Sequence, residues 1–189
     1  MKKSISILIL LAAAMIAATG AFAQGISLSA GGGVYFDAGI PMWEDAEGSV
    51  LNTGAYGFFD FTYAEVDVGF GYYRLTDAEV YGASLNLGLL LKYPFTYERF
   101  AIFPLLGARF SIPLTQSYDG SSVDGFKVKD NVHLGLQGGV GMDFPLGKSL
   151  YIRASALCNV DFFVPGEDPN DDTLYTIGPM IKVGLGYKF

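Results

Sequence analysis

The sequence predicts an all-β fold, an antiparallel up-and-down transmembrane barrel of eight strands, and three observations carry that prediction. Apolar residues alternate with polar residues or glycine at strand period in one segment after another. The last of these runs Ile181-Lys182-Val183-Gly184-Leu185-Gly186-Tyr187-Lys188-Phe189. Aromatic residues make up 15% of the chain and glycine occurs 25 times, with no helical apolar period beyond the N-terminal segment. That segment itself reads as an export signal.

The signal is taken as residues 1–23. Lys2 and Lys3 form its positive start, an apolar run follows from Ile5 to Ala18, and Ala21-Phe22-Ala23 supplies the small-residue cleavage site. Cleavage is expected between Ala23 and Gln24, leaving 24–189 as one barrel domain. The apolar run is too short for a permanent membrane helix. No lipid anchor is expected, because the single cysteine, Cys158, lies far from the cut; for the same reason no intramolecular disulfide can form. With Lys2 and Lys3 gone, the net charge of −7 becomes two units more negative. That excludes the basic face a nucleic-acid binder needs.

The strands follow in order. Strand 1 is 26–36, with Ile26, Leu28, Ala30, Val34 and Phe36 on one face. Strand 2, the least distinct, is 51–62, with Leu51, Ala55, Phe59 and Phe61 outward. Strand 3 is 64–74 with Val66, Val68, Phe70 and Tyr72, and strand 4 is 83–93 with Leu85, Leu87, Leu89, Leu91 and Tyr93. Strand 5 is 100–111 with Ile102, Leu106 and Phe110; strand 6 is 131–144 with Val132, Leu134, Leu136, Val140, Met142 and Phe144. Strand 7 is 150–160 with Ile152, Ala154, Ala156 and Cys158, and strand 8 is 175–189. Segments of roughly 9 to 11 residues are what a tilted strand needs to cross a bilayer.

Connections 37–50, 75–82, 112–130 and 161–174 are long or polar, whereas those around 62–64, 94–99 and 145–149 are short. Barrels of this kind put short turns in the periplasm and long loops outside. Phe61, Tyr63, Tyr93, Phe144, Tyr187 and Phe189 then fall at the periplasmic end, and Phe36, Tyr72, Phe110 and Tyr175 at the outer end, as two interfacial girdles. On these features residues 24–189 resemble the eight-stranded bacterial outer-membrane barrels typified by the OmpA transmembrane domain, OmpX and OmpW. The resemblance implies location in the outer membrane of a Gram-negative-type bacterium, contact with its lipid, and recognition of Tyr187 and Phe189 by the barrel-insertion machinery. No peptidoglycan-binding domain is expected after strand 8. Pro104 and Pro179 fall inside strands 5 and 8, where each removes a ladder donor, so a bulge or local gap is expected at both.

The same phase turns Asp60, Glu65, Asp67 and Asp143 inward with Lys92, Arg109, Arg153, Lys182 and Lys188. The opposite phase would put these charges in lipid, at ~2–4 kcal/mol for a Lys or Arg at the midplane. Four acids against five bases predict a nearly neutral, internally paired plug. Asp60, Glu65, Asp143 and Arg153 should lie near the periplasmic end, within reach of Lys92 and Lys182, and Tyr56, Phe58, Phe103 and Leu105 should add bulk. The network is read first as stabilising, and second as a gate that opens when a pair rearranges.

His133 faces inward, but its same-face neighbour two residues on is Gly135, so no serine–histidine pair forms on the strand and no enzyme activity is expected. No metal or other cofactor is expected either. Cys158 points to lipid, and the glycines at 31–33 and 138–139 serve close packing in the wall. The outer loops are acidic, with Asp37, Glu44, Asp45 and Glu47 in the first, Asp77 and Glu79 in the second, and Glu167, Asp168, Asp171 and Asp172 in the fourth. They are solvated loop tips or a surface for a cation or an extracellular partner, with Trp43 as a further contact residue. Three functions remain open. The first is a non-enzymatic barrel with a structural or surface-interaction role, and the second is a narrow channel or conduit for small or hydrophobic solutes. The third, a soluble lipocalin-like carrier, requires the apolar face to point inward.

Overall fold

The computed structural model describes residues 27–42, 48–76, 79–122, 128, 132–163 and 175–189. Outside them lie the signal 1–23 with its cleavage pair Ala23 and Gln24, and the loop residues Trp43, Glu44, Asp45, Glu47, Asp77, Glu167, Asp168, Asp171 and Asp172. The barrel strands are β1 (Ser29–Pro41), β2 (Val50–Asp60), β3 (Ala64–Leu75), β4 (Val80–Lys92), β5 (Ala101–Pro113), β6 (His133–Pro145), β7 (Leu150–Phe163) and β8 (Tyr175–Lys188). Each pairs antiparallel with its sequence neighbours, and β1 pairs with β8, for example Ser29 with Lys188 and Val34 with Val183. Eight strands therefore close on themselves, and no barrel strand is left as a free edge.

The two faces separate as the alternation requires. Val34, Phe36, Phe59, Val68, Phe70, Leu87, Leu91, Leu106, Leu136, Val140, Ile181, Val183 and Leu185 are exposed on the outside. Asp60, Glu65, Asp67, Lys92, Arg109, Asp143, Arg153 and Lys182 are buried inside. This is the inverse of a lipocalin-like carrier, whose apolar face lines the cavity. At one end Tyr63, Tyr93, Phe144, Tyr187 and Phe189 are exposed, with rings 6.0 Å apart in the Tyr63–Tyr93 pair and 5.6 Å in Tyr187–Phe189. Phe95, Tyr97 and Phe100, on the connection after β4, extend that belt. At the other end Phe36 and Tyr72 are exposed, and Phe110 and Tyr175 are half-buried.

Strand ends differ from the sequence reading, mostly by growing toward the long-loop end. β1 continues to Pro41 rather than stopping at residue 36, and β7 continues to Phe163. Continuous pairing with β2 and β8 outweighs the Gly, Pro and Asp content of those residues, so Asp37 and Asp161 belong to the wall and not to loops. The expected long connection between β3 and β4 shrinks to 76–79, because Arg74 still pairs with Tyr81. Between β4 and β5, residues 93–100 hold a two-residue strand, Phe95–Thr96, against Ala101 and Ile102. Lys188 is exposed at the rim, with its Nζ 5.4 Å from the centre of the interior Tyr151 ring.

The two prolines behave alike. Pro104 pairs in unbroken register with Val140 of β6, but on its other side pairing stops at Lys92–Leu105 and resumes in the same register at Phe95–Ile102. The local gap expected there is present, with no change of register. Pro179 opens a matching gap. Pairing of β1 with β8 runs to Asp37–Met180 and resumes at Ile40–Ile177 with no change of register. In the turn between β2 and β3, Thr62 sits in the left-handed region at φ 65° and is held by Asp60 Oδ1, which accepts from its N–H at 3.0 Å.

Candidate functional site

The barrel interior is the candidate site, and it has three layers. The layer nearest the short turns centres on Arg153, which is 1% exposed. Register puts Arg153 directly opposite Asp143 on β6. Its Nε donates to Asp143 Oδ1 and its Nη2 to Asp143 Oδ2, both at 2.7 Å, a two-pronged grip that suits a planar guanidinium. The remaining donors reach across the barrel to Glu65 and Asp60. Those two carboxylates are direct cross-strand partners on β2 and β3 and would repel if left alone. Lys92 also donates to Asp60, and Lys182 donates to Asp67 at 2.8 Å.

Rings surround these cations. The Arg153 guanidinium lies 4.8 Å from the centre of Phe58 and 5.1 Å from that of Phe103, and Lys92 Nζ lies 4.6 Å from Phe103. Tyr151 completes the layer, its hydroxyl 2.8 Å from Ser29 Oγ. The rings fit because glycines face them. A Cβ on Gly141 would meet Phe103 at 2.2 Å, and one on Gly186 would meet Tyr151 at 2.1 Å. In β1, Gly31 and Gly33 likewise have no room for a Cβ against the backbone of β8.

The middle layer is mostly apolar or neutral. Leu90, Leu105, Leu157, Met180 and Tyr56 are buried there. Tyr35 joins Asn52 and Asn86 through its hydroxyl, donating to Asn52 Oδ1 at 3.2 Å and accepting from Asn86 Nδ2 at 2.9 Å.

The third layer lies toward the long loops. Arg109 bridges two carboxylates, Nη1 to Asp37 at 2.7 Å and Nη2 to Asp161 at 2.6 Å, while Asn159 donates to the other oxygen of Asp37 at 2.9 Å. Above it opens a cavity of about 350 Å³ whose lining includes Asp37, Arg109, Asp161, Ser111 and His133. His133 is half-buried in that wall. Cys158 is exposed on the outer face.

Of the nine interior charges named from the sequence, all but Lys188 are buried in the barrel, and three ion-paired groups hold them, around Arg153, between Lys182 and Asp67, and around Arg109. Asp37 and Asp161 were missed because both were assigned to loops. The available signal was the unbroken alternation Tyr35-Phe36-Asp37 and Asn159-Val160-Asp161, which keeps each Asp on the inner face. With these two counted and Lys188 removed to the rim, the buried acids Asp37, Asp60, Glu65, Asp67, Asp143 and Asp161 outnumber Lys92, Arg109, Arg153 and Lys182. The interior is therefore net acidic rather than balanced. Among the described residues, no group of His, Cys, Asp and Glu has the arrangement of a metal site.

No family model matches the chain, and no curated protein matches it in sequence. Among solved structures, Neisserial surface protein A superposes on 88% of this chain and 100% of its own at a TM-score of 0.57 and 16% identity. Ail, the attachment invasion locus protein of Yersinia pestis, covers 87% of this chain and 97% of its own at 0.45 and 16%. The N-terminal β-barrel domain of Pseudomonas aeruginosa OprF covers 87% and 100% at 0.41 and 12%. The chain has the fold of the small eight-stranded outer-membrane β-barrels.

Proposed function

We propose that the protein is exported on residues 1–23, begins as a mature chain at Gln24, and sits in the outer membrane of a Gram-negative-type bacterium as a non-enzymatic barrel with a structural or surface-interaction role. The observation that carries this reading is the inside-out polarity of the wall, with rows such as Leu87, Leu91 and Leu106 exposed while Arg153 and its three carboxylates are buried. Exposed apolar rows demand hydrocarbon around them, and an exposed aromatic belt that includes Tyr63, Tyr93 and Tyr187 fits the headgroup level. The long connections then face outward and carry the acidic residues as a surface for an extracellular partner. Tyr187 and Phe189 serve the insertion machinery. Neisserial surface protein A, the fold neighbour, is by name a surface protein.

Sealing is supported by bulk: Phe58, Phe103, Leu90, Leu105 and Tyr151 fill the section around and above Arg153. The test is conductance of the refolded mature chain in planar bilayers across pH and salt. Silence from a well-folded, heat-modifiable barrel is the expected result; reproducible discrete openings would overturn it in favour of a narrow channel. That second reading has one specific support, since Lys92 and Arg153 share Asp60 and could exchange it. It requires Arg153→Ala to raise single-channel conductance, and an unchanged trace would sink the gate.

A further inference from the structure

The vestibule between the long connections has a charged floor whose charges are turned on one another. Both oxygens of Asp37 are taken, by Arg109 and by Asn159, and Asp161 gives one oxygen to Arg109. The other oxygen of Asp161 lies against Gly135, and Arg109 Nε is likewise shut off from the cavity. The two carboxylates that flank the guanidinium repel an anion. A ligand of either sign therefore meets no open charged group at the floor.

What does open into the cavity is neutral. Asn52 on β2, Ser111 on β5 and Thr176 on β8 line it, and are 6%, 8% and 6% exposed. Register sets them beside the floor: Asn52 pairs with Asp37, Thr176 pairs with Asp161, and Ser111 follows Arg109 by two residues. The three strands are spread around the barrel, so the three side chains converge. Asn52 Oδ1 accepts from the Tyr35 hydroxyl. Among the described residues, Asn52 Nδ2 and the hydroxyls of Ser111 and Thr176 have no protein hydrogen-bond partner. Unlike Arg109 Nε, these atoms are not sealed in the wall, so they face the cavity that their residues line. Above them Val50, Leu75, Val80 and Pro113 form an apolar collar.

Neutral donors and acceptors beneath an apolar collar match a guest that carries both hydroxyls and C–H faces. We infer that this vestibule binds one neutral sugar ring, with hydroxyls on Asn52, Ser111 and Thr176 and a C–H face against the collar. The volume of about 350 Å³ falls in the range of small-ligand sites. A wholly apolar guest is a poorer match, since it would strip water from three buried polar groups and return no hydrogen bond. The same chemistry covers a free monosaccharide and the terminal residue of a surface glycan. The inference goes beyond the barrel reading and does not depend on whether the barrel conducts.

The probes are the methyl glycosides of glucose, galactose and mannose, titrated singly into the refolded mature chain in a detergent without a sugar headgroup. Binding is read from NMR shifts of the Asn52 side-chain amide and the Ser111 and Thr176 backbone amides. Saturable shifts are expected with at least one glycoside, and cyclohexanol, the apolar control, should bind at least about tenfold more weakly. Thr176→Val, which keeps the shape and removes the hydroxyl, and Ser111→Ala should each weaken the sugar by about 3- to 10-fold, the scale of one neutral hydrogen bond. Should both misfold, Val80→Phe, which fills the collar and leaves the polar groups intact, should also weaken binding. A disaccharide that binds as well as the glycoside assigns the site to the end of a glycan, and one that is excluded assigns it to a free sugar. No saturable shift with any glycoside, cyclohexanol binding as well as the sugar, tighter binding of the amino or uronate analogue, or binding unchanged in a folded variant would each overturn the assignment.

Discussion

Arg153 illustrates how one residue can organise an interior. Its planar fork meets carboxylates from β2, β3 and β6, which a lysine point charge could not do with the same geometry. Removing it leaves Asp60, Glu65 and Asp143 buried, with only Lys92 beside Asp60. Arg153→Ala is therefore expected to destabilise the barrel by about 3–5 kcal/mol, the cost of breaking a buried ion pair. Urea unfolding in lipid vesicles measures it, and a loss below about 1 kcal/mol would put the pair in the class of exposed salt bridges. Gly141 is a second sensitive residue. Gly141→Ala should push the Phe103 ring away from Lys92 and Arg153 and cost about 1–3 kcal/mol, read by the same unfolding curves.

At the scale of the element, each strand has a lipid face and an interior face, and the two tolerate opposite substitutions. Leu87 lies near the middle of β4 on the outer face, between the buried Asn86 and Gly88. Leu87→Lys should cost ~2–4 kcal/mol in a bilayer, as a charge near the midplane does. Equal stability of the variant in vesicles would mean that this face is not in hydrocarbon. The prolines make the complementary point about backbone. Both sit on the outer face, and each pairs continuously with one neighbour while interrupting the ladder with the other, Pro104 on the side of β4 and Phe95–Thr96 and Pro179 on the side of β1. Residue type was enough to expect the gaps; which neighbour loses its pairing depended on what lay alongside.

For the whole molecule, closure is the decisive event. It joins β1 to β8, from Ser29–Lys188 to Pro41–Thr176, and so couples the two ends of the chain. Phe189 lies just past the last paired residue, its N–H donating to Leu28 O at 3.0 Å and its side chain exposed. Deleting Phe189 should therefore leave refolding in vitro nearly unchanged but reduce the heat-modifiable form recovered from cell envelopes. Equal recovery would remove the proposed role in insertion.

The sequence by itself determined the class, the number of strands and the phase of each strand. It could do so because a period of two is a local property, and because placing several charges in lipid is prohibitive whatever the rest of the fold does. It determined the strand ends poorly. Asp37 and Asp161 look like loop residues among glycines, prolines and acids, and only pairing with neighbours far along the chain keeps them in the wall. Tertiary structure alone decided which charge meets which. Arg153 and Glu65 are 88 residues apart, and Arg109 and Asp37 are 72 apart. Their meeting depends on the register and closure of the whole barrel, which no local pattern encodes. The same closure set an Arg109 cluster beneath an open vestibule and an Arg153 cluster inside a packed plug, two environments that their strands alone do not distinguish.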